Sequence, residues 1–262
     1  MATEDVNFDS EEAITEITRR VDSITRENQA LFRRLLDGER RFRRLAKAVW
    51  MVQEDERRRL ARELHDGIGQ TLTALKNQVA RLHIKYEDAD ETLAAALKDS
   101  VELVSTALND TRELSRLLRP SVLDDLGLEA ALTWLARTLG QRTDMDISID
   151  CDLDEERLEP EIETLVFRIV QESLTNVIKH AGVAEAVVQV QSSPDFLRAS
   201  VTDKGAGFEM KSALGEDNNP ASSGLRGMKD RVELFGGQLA IRSAPGSGTV
   251  VELAVPLTGH QD

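Results

Sequence analysis

The sequence predicts an α + α/β chain, a helical N-terminal part followed by a separate α/β sandwich, and three observations carry that prediction. Apolar residues recur every three or four positions from about residue 11 to residue 118. Alternation of apolar and polar residues begins near Met145. Within the helical stretch, Glu63-Leu64-His65-Asp66-Gly67-Ile68-Gly69-Gln70 sets an imidazole, a carboxylate and an amide on an otherwise regular amphipathic helix. The expected segments are a coiled-coil helix over 1–53, a helical hairpin over 54–122 and the α/β domain over 123–262.

The first helix, over 11–52, places Ile14, Ile17, Val21, Ile24, Asn28, Leu31, Leu35, Gly38, Phe42, Leu45, Val49 and Val52 at alternating spacings of three and four. A seam sustained over that length is the pattern of a coiled coil, and a polar Asn28 within it fixes register and favours two strands, so a parallel homodimer is expected. Past Val52 the spacing slips to four through Glu56, Leu60, Leu64, Ile68 and Leu72. This resembles a stutter, which locally unwinds a supercoil. A regulatory role and the plain geometry of a coiled coil opening into a wider bundle both account for it.

The hairpin begins with a stripe of Leu60, Leu64, Ile68, Leu72, Leu75, Val79 and Leu82. His65 follows a stripe residue and so lies about 100° off the buried seam, within reach of solvent. Gly69 stands one turn on and leaves room for a bulky reactant; Gln70 shares a face with Asp66. A carboxylate beside an imidazole can orient the ring and accept its proton, leaving a nitrogen free to attack phosphorus. A second helix over 91–118 carries Leu93, Leu97, Val101, Val104, Leu108, Leu114 and Leu118 on one side, after a polar turn at 87–90. Two such antiparallel hairpins make a four-helix bundle. Pro120 ends this helix, and Leu126-Gly127-Leu128 opens a short one carrying Trp134.

Composition limits what the chain can do. With 262 residues, a formal charge of -14 and only two Trp and one Tyr, it reads as a soluble protein with aliphatic cores and no direct nucleic-acid partner. Residues 31–62 hold eleven Lys or Arg against five Asp or Glu, a local basic stretch within an acidic whole. Cys151 is the only cysteine, so no intrachain disulfide can form and a reducing cytoplasm is expected. No apolar run approaches a membrane span of about 20 residues, and the acidic start lacks the features of a signal peptide.

In the α/β domain, strands are expected at 145–151, 186–191, 196–202, 237–243 and 248–256, with helices near 160–181 and 224–235. Glu172, Asn176 and His180 recur every four residues on the first of these helices, with Lys179 adjacent. A carboxylate and an amide oxygen in line suit a Mg²⁺ ion that keeps phosphate oxygens and water as its remaining ligands. Asp203-Lys204-Gly205-Ala206-Gly207 follows a strand, where a carboxylate can accept a hydrogen bond from an adenine amino group and glycine lets backbone pass close to a base. The polar stretch 214–223 has the composition of a lid. It ends in Gly224-Leu225-Arg226-Gly227-Met228 at an expected helix start, where free amides attract phosphate. Gly246-Ser247-Gly248-Thr249 completes the set.

Together these motifs resemble the two-component sensor histidine kinases of the subfamily with an H-D-x-x-x-Q phosphoacceptor motif. The resemblance covers 54–257 and rests on Glu56-Arg57-Arg58-Arg59-Leu60-Ala61-Arg62-Glu63-Leu64-His65-Asp66, on Leu118-Arg119-Pro120 through Leu126-Gly127-Leu128, on Gln171 through Ala181, and on Gly224 through Gly237. It implies an ATP-binding sandwich of the gyrase and histidine kinase type. It further implies that His65 is the phosphoacceptor, Asp66 its acid/base, and Gln70 the group that positions water for dephosphorylating the partner, a response regulator receiver domain. Asn176 would hold Mg²⁺ with Glu172 assisting, and Lys179 and His180 would face phosphates. Asp203 would read adenine with support from Thr249, and Gly205, Gly207, Gly224, Leu225 and Gly227 would frame ATP. Lys204 departs from the family, which usually has Asp or Asn there. Two rival readings stay open at this point: a sensor that acts mainly as a phosphatase, and a dimeric scaffold that binds ATP without turnover.

Overall fold

The computed structural model describes residues 5–88, 91–154, 157–209 and 220–257. Helix α1 (Asp5–Glu63) passes through one π-helical stretch, Leu64–Gly69, into α2 (Gln70–Tyr86). Met1–Val49 and Trp50–Asp262 form two compact units.

In the first unit α1 alone carries the expected seam. Val21, Ile24, Leu31, Leu35, Phe42, Leu45 and Val49 are all exposed on the single chain. The side chains of Ile14 and Ile17 lie outside the described residues.

In the second unit α2 packs against α3 (Glu91–Leu118), which spans the expected residues. Ala61, Gly69, Ala94, Leu108 and Ser115 are among the buried residues of the hairpin, whereas Leu60, Ile68, Leu75 and Leu82 of the expected stripe stay at least one-third exposed. Leu64, Leu72 and Val79 of the same stripe are half-buried, so the stripe is only partly covered on the single chain. After Pro120, whose extended backbone ends α3, come α4 (Ser121–Leu126) and α5 (Leu128–Thr143). The single short helix expected here is thus two, because Gly127 has φ +84°, a value that only glycine adopts readily.

The sandwich has one five-stranded sheet. Strands β1 (Asp146–Asp152), β2 (Glu185–Ser192), β3 (Phe196–Asp203), β4 (Gln238–Ser243) and β5 (Thr249–Pro256) lie in the order β1-β2-β3-β5-β4, with β1 and β2 parallel and the other neighbours antiparallel. Alternation sends Val188, Val190, Leu197, Ala199, Val201, Val251, Leu253 and Val255 to one face. Helices α5, α6 (Pro160–Asn176) and α7 (Pro220–Leu234) cover that face and bury Leu132, Leu135, Leu165, Phe167, Leu174 and Met228 completely. The opposite face, with Gln189, Gln191, Arg198 and Glu252, is polar.

At the base of the hairpin α1 presents a different face to the sandwich. Trp50 meets Phe235 edge-to-face with ring centroids 5.4 Å apart. One turn on, Glu54 is 2% exposed, and its carboxylate accepts from Nε and Nη2 of Arg168 on α6 at 2.9 and 2.7 Å. Arg57 Nη1 lies 3.3 Å and Arg119 Nη1 3.8 Å from the same carboxylate. Arg119 also donates to Asp124, which pairs with Arg58 at 3.0 Å, and Arg168 donates to the carbonyl of Leu118. Burial pulls the Arg168 guanidinium below the usual arginine range, and the hydrogen bond and charge of Glu54 oppose that shift.

A buried pair that loses one partner leaves an uncompensated charge. Glu54→Ala should therefore lower the unfolding free energy of this unit by about 3–5 kcal/mol. The double variant Glu54→Leu/Arg168→Met should recover most of that loss. Urea denaturation followed by the fluorescence of Trp50 and Trp134 measures both, and a double variant no more stable than Glu54→Ala would refute the account.

Candidate functional site

The first site lies on the π stretch. Four residues close a turn of α-helix and five close a turn of π-helix, so one extra residue is accommodated between Leu64 and Gly69. His65, Asp66 and Gln70 are all exposed there. The same widening alters one expectation from α-helical spacing. Gly69 is buried, and a Cβ on it would meet the carbonyl of Leu64 at 3.5 Å, so it faces the backbone rather than open space beside His65. Gln70 follows directly on the π stretch, four residues from Asp66. Its N–H donates to the carbonyl of Gly67.

The second site is a cavity of about 330 Å³ at the end of α6, between the covering helices and the ends of β3 and β5. Its volume is that of a small-molecule pocket. Of the residues expected from sequence, Asn176, His180, Asp203, Gly207, Leu225 and Thr249 line it, joined by Ser173, Val177, Ala181, Val201, Phe208, Glu209 and Val251. Val201 and Val251 were legible as inward residues of alternating strands. Ser173 stands one turn before Asn176 and could have been found by that spacing. Phe208 and Glu209, in irregular chain after Gly207, gave no such signal.

A second π turn, Val177–Ala181, follows Asn176 and carries Lys179 and His180, both exposed. It ends at Gly182, φ +66°. The Asp203 carboxylate is buried and accepts from the N–H of Gly205 at 2.8 Å, which holds the loop after β3. That loop interlocks with the one before β5. Ala206 N–H donates to Ala181, Gly246 N–H to Ala206 and Gly248 N–H to Gly205. Two glycines permit this contact: a Cβ on Gly207 would stand 2.1 Å from the carbonyl of Ala244, and one on Gly248 2.1 Å from that of Asp203. Thr249 belongs to a hydroxyl pair with Ser243 at 3.1 Å, and the Ser243 hydroxyl also accepts from Phe208 N–H.

Several expectations change. Helix α7 starts at Pro220, whose fixed φ suits the first position of a helix. Gly224 to Met228 therefore lie past the first turn, so the free amides belong to 221–223. Residues 214–219 of the expected lid lie outside the described residues, and 220–223 belong to α7. Glu172 points at α7 instead of lining the cavity: a Cβ on Gly224 would stand 3.1 Å from its Oε1, and its charge opposes the downward shift that burial imposes on Arg231. Finally, Gly205 packs on Ala181, where a Cβ would come within 2.5 Å, and so shapes the loop from outside the cavity. Lys179 and Gly227 are likewise not among the lining residues.

Among the described residues no group of three or more His, Cys, Asp or Glu could hold a metal ion. A Mg²⁺ that takes one amide oxygen and completes its octahedron with phosphate and water requires no such group, so Asn176 fits that ion and a carboxylate cage does not. Among the same residues no helix is long and apolar enough to cross a membrane. Cys151 is half-buried in β1, and burial pushes its thiol up to about 11, which makes it a poor nucleophile.

Comparison with known proteins matches two segments of the chain to named families. Residues 56–123 match the family described as histidine kinase, and 161–259 match the histidine kinase-, DNA gyrase B-, and HSP90-like ATPases. The chain is 37% identical over 216 residues to the oxygen sensor histidine kinase NreB of Staphylococcus carnosus, covering 82% of this chain and 60% of that protein. It is 36% identical over 230 residues to the sensor histidine kinase MctS of Rhizobium johnstonii, covering 87% of this chain and 49% of that protein. The chain thus spans about half to three-fifths of these curated relatives. Among solved structures, the histidine kinase domain from Erythrobacter litoralis EL346 blue-light activated histidine kinase aligns with a TM-score of 0.43 and 24% identity, over 72% of this chain and 94% of that one. On the two family matches and the two relatives, this chain belongs to the histidine kinases, with a histidine kinase region around His65 followed by an ATPase domain of the gyrase B and HSP90 type.

Proposed function

We propose that the chain is a cytoplasmic, homodimeric sensor kinase that transfers the γ-phosphoryl group of ATP to His65 and from there to an Asp of a response regulator receiver domain. The observation that carries this reading is the pairing, on one chain, of an exposed His65-Asp66 on a π turn with a cavity lined by Asn176, His180, Asp203, Gly207 and Thr249. In this reading 1–53 is the signalling coiled coil, 54–122 the dimerisation and phosphotransfer hairpin, and 123–262 the catalytic domain. The exposed seam of α1 and the half-exposed stripe Leu60, Ile68, Leu75 and Leu82 support association with a second copy, since each leaves large apolar side chains exposed on the single chain.

The chemistry follows from the groups present. Asp203 accepts from the adenine amino group while Thr249 steadies the loop beneath it. His180 and Lys179 offer charge and hydrogen bonds to the phosphates. The Asp66 carboxylate takes the proton from the ring of His65 as the free nitrogen forms its bond to phosphorus and the bond to the ADP oxygen breaks. Mg²⁺, held by Asn176, would supply charge neutralisation at the phosphates. Glu172, facing α7, acts by packing α7 against α6 so that Leu225 closes the cavity. Phosphatase activity is the second part of this proposal: exposed Gln70, an amide that donates and accepts without becoming a base, would orient water against the phosphorylated regulator.

Incubation with γ-labelled ATP and Mg²⁺ is the direct test, with an acid-labile, base-stable label expected. In His65→Gln the label should vanish while ATP affinity and dimer mass hold; a label that persists on this variant refutes His65 as acceptor. Asn176→Asp should lower labelling by on the order of 100-fold, the scale of effect when an electrostatic group at a reacting centre is altered. Normal ATP turnover in that variant would remove Asn176 from the metal site. Gln70→Ala should leave autophosphorylation intact and slow dephosphorylation of the regulator by about tenfold, as loss of a positioning contact does. Equal rates with wild type would remove the phosphatase role.

A further inference from the structure

We propose that Ser115, on α3, is a positioning residue for phosphoryl transfer: by holding the carbonyl of Ala61 it fixes where the helix changes from α to π and hence the direction in which His65 points. The proposal rests on the reading of His65 as the acceptor.

Ser115 is buried, and its hydroxyl donates to the carbonyl of Ala61 at 2.6 Å across 54 residues of sequence. Ala61 lies four residues before His65, so its carbonyl is the one that an α-helical His65 would use. From Leu64 on, the backbone closes in π fashion. Where a ladder changes from four-residue to five-residue closure, backbone groups at the junction lose their in-line partners, and a side chain that inserts there stabilises the change.

Six other hydroxyls of these helices behave differently. Ser100, Ser105, Thr106 and Thr111 on α3 each donate to the carbonyl four residues back, and so do Thr71 and Thr73 on α2. That local bond is the default for a helical Ser or Thr. Ser115 leaves its own i−4 carbonyl, that of Thr111, and reaches the neighbouring helix at the junction before His65, while α3 packs along the π turn itself.

The consequence is one of rotational phase. Relaxing the bulge to α turns every later side chain by about 100° relative to the bundle, and moving it by one residue turns the side chains between its old and new positions, His65 at its start among them. The Ser115 bond pins the α side of the junction to α3, so the bulge starts at Leu64 and His65 keeps one azimuth. Loss of the bond lets the junction wander and lowers the fraction of molecules in which His65 is aligned. The ATP cavity, built from α6, β3 and β5, is untouched.

The test is a comparison of Ser115→Ala and Ser115→Thr with the wild-type dimer in γ-labelled ATP. In Ser115→Ala, kcat for His65 labelling should fall by on the order of tenfold with KM for ATP unchanged, whereas Ser115→Thr, which keeps the hydroxyl, should return to within about threefold of wild type. A merely structural role would lower stability without separating kcat from KM or responding to the hydroxyl. Wild-type kcat in Ser115→Ala overturns the proposal, as does an equal loss in Ser115→Thr with both variants folded. If Ser115→Ala fails to fold by circular dichroism, Ser115→Cys against Ser115→Thr carries the comparison, and equal kcat in that pair overturns it. Peptide mapping of the wild-type label separates the two readings: a label on another residue refutes His65 as acceptor, independently of the Ser115 rates.

Discussion

The carboxylate of Glu54 is the constraint on which the arrangement of the Trp50–Asp262 unit depends. A charge 2% exposed persists only where charged donors meet it, so α1, the end of α3 and the middle of α6 must come together at one point. Apolar burial alone has no direction; Trp50 against Phe235 could slide by a turn with little change in area. The guanidinium of Arg168 cannot, because it also reaches Leu118 and Gln171. The helix that carries His65 is therefore indexed to the sandwich at a position roughly 16 Å, or eleven helical residues, before that side chain.

Both chemical sites sit where a helix widens. Leu64–Gly69 holds His65 and Asp66, and Val177–Ala181 holds Lys179 and His180 just after Asn176. A π turn trades hydrogen-bond geometry for a change in side-chain direction, and it survives only where neighbours hold its loosened backbone. At the first turn α3 does this, through Ser115 and its packing. At the second, the carbonyl of Ala181 accepts from Ala206, so the helix end is tied to the glycine loop that follows the buried Asp203. The loops around the cavity are thus one connected piece of backbone, and substitutions at Gly207 or Gly248 would disturb it without touching a ligand.

Much of this was legible in the sequence because the signals are local. The five strands were expected within two residues of where they lie, since alternation marks a strand with one covered face. The second helix of the hairpin spans its expected residues because a polar turn and a proline bound it. Six of the residues expected at the nucleotide site line one cavity. The helix start at Pro220 was missed because a serine-rich approach reads as loop, although proline is itself a start signal. Glu172 was misplaced because four-residue periodicity gives a direction on α6 and says nothing of α7 standing in that direction.

What the sequence by itself determined is the kind of protein: an extended apolar seam, a helix bearing His65 and Asp66, and an α/β domain with Asn176, Asp203 and the glycine loops in order. Each of these is set by spacing within one segment, where 3.6-residue and two-residue periods leave little choice. Only the tertiary structure decided that the ladder opens at Leu64, that Gly69 turns inward, and that the segment of α1 after Val49 docks on the sandwich through Glu54. The physical reason is that these outcomes are fixed by partners distant in the chain, Ser115 for Ala61 and Arg168 for Glu54, and no local period encodes a hydrogen bond across 54 or 114 residues.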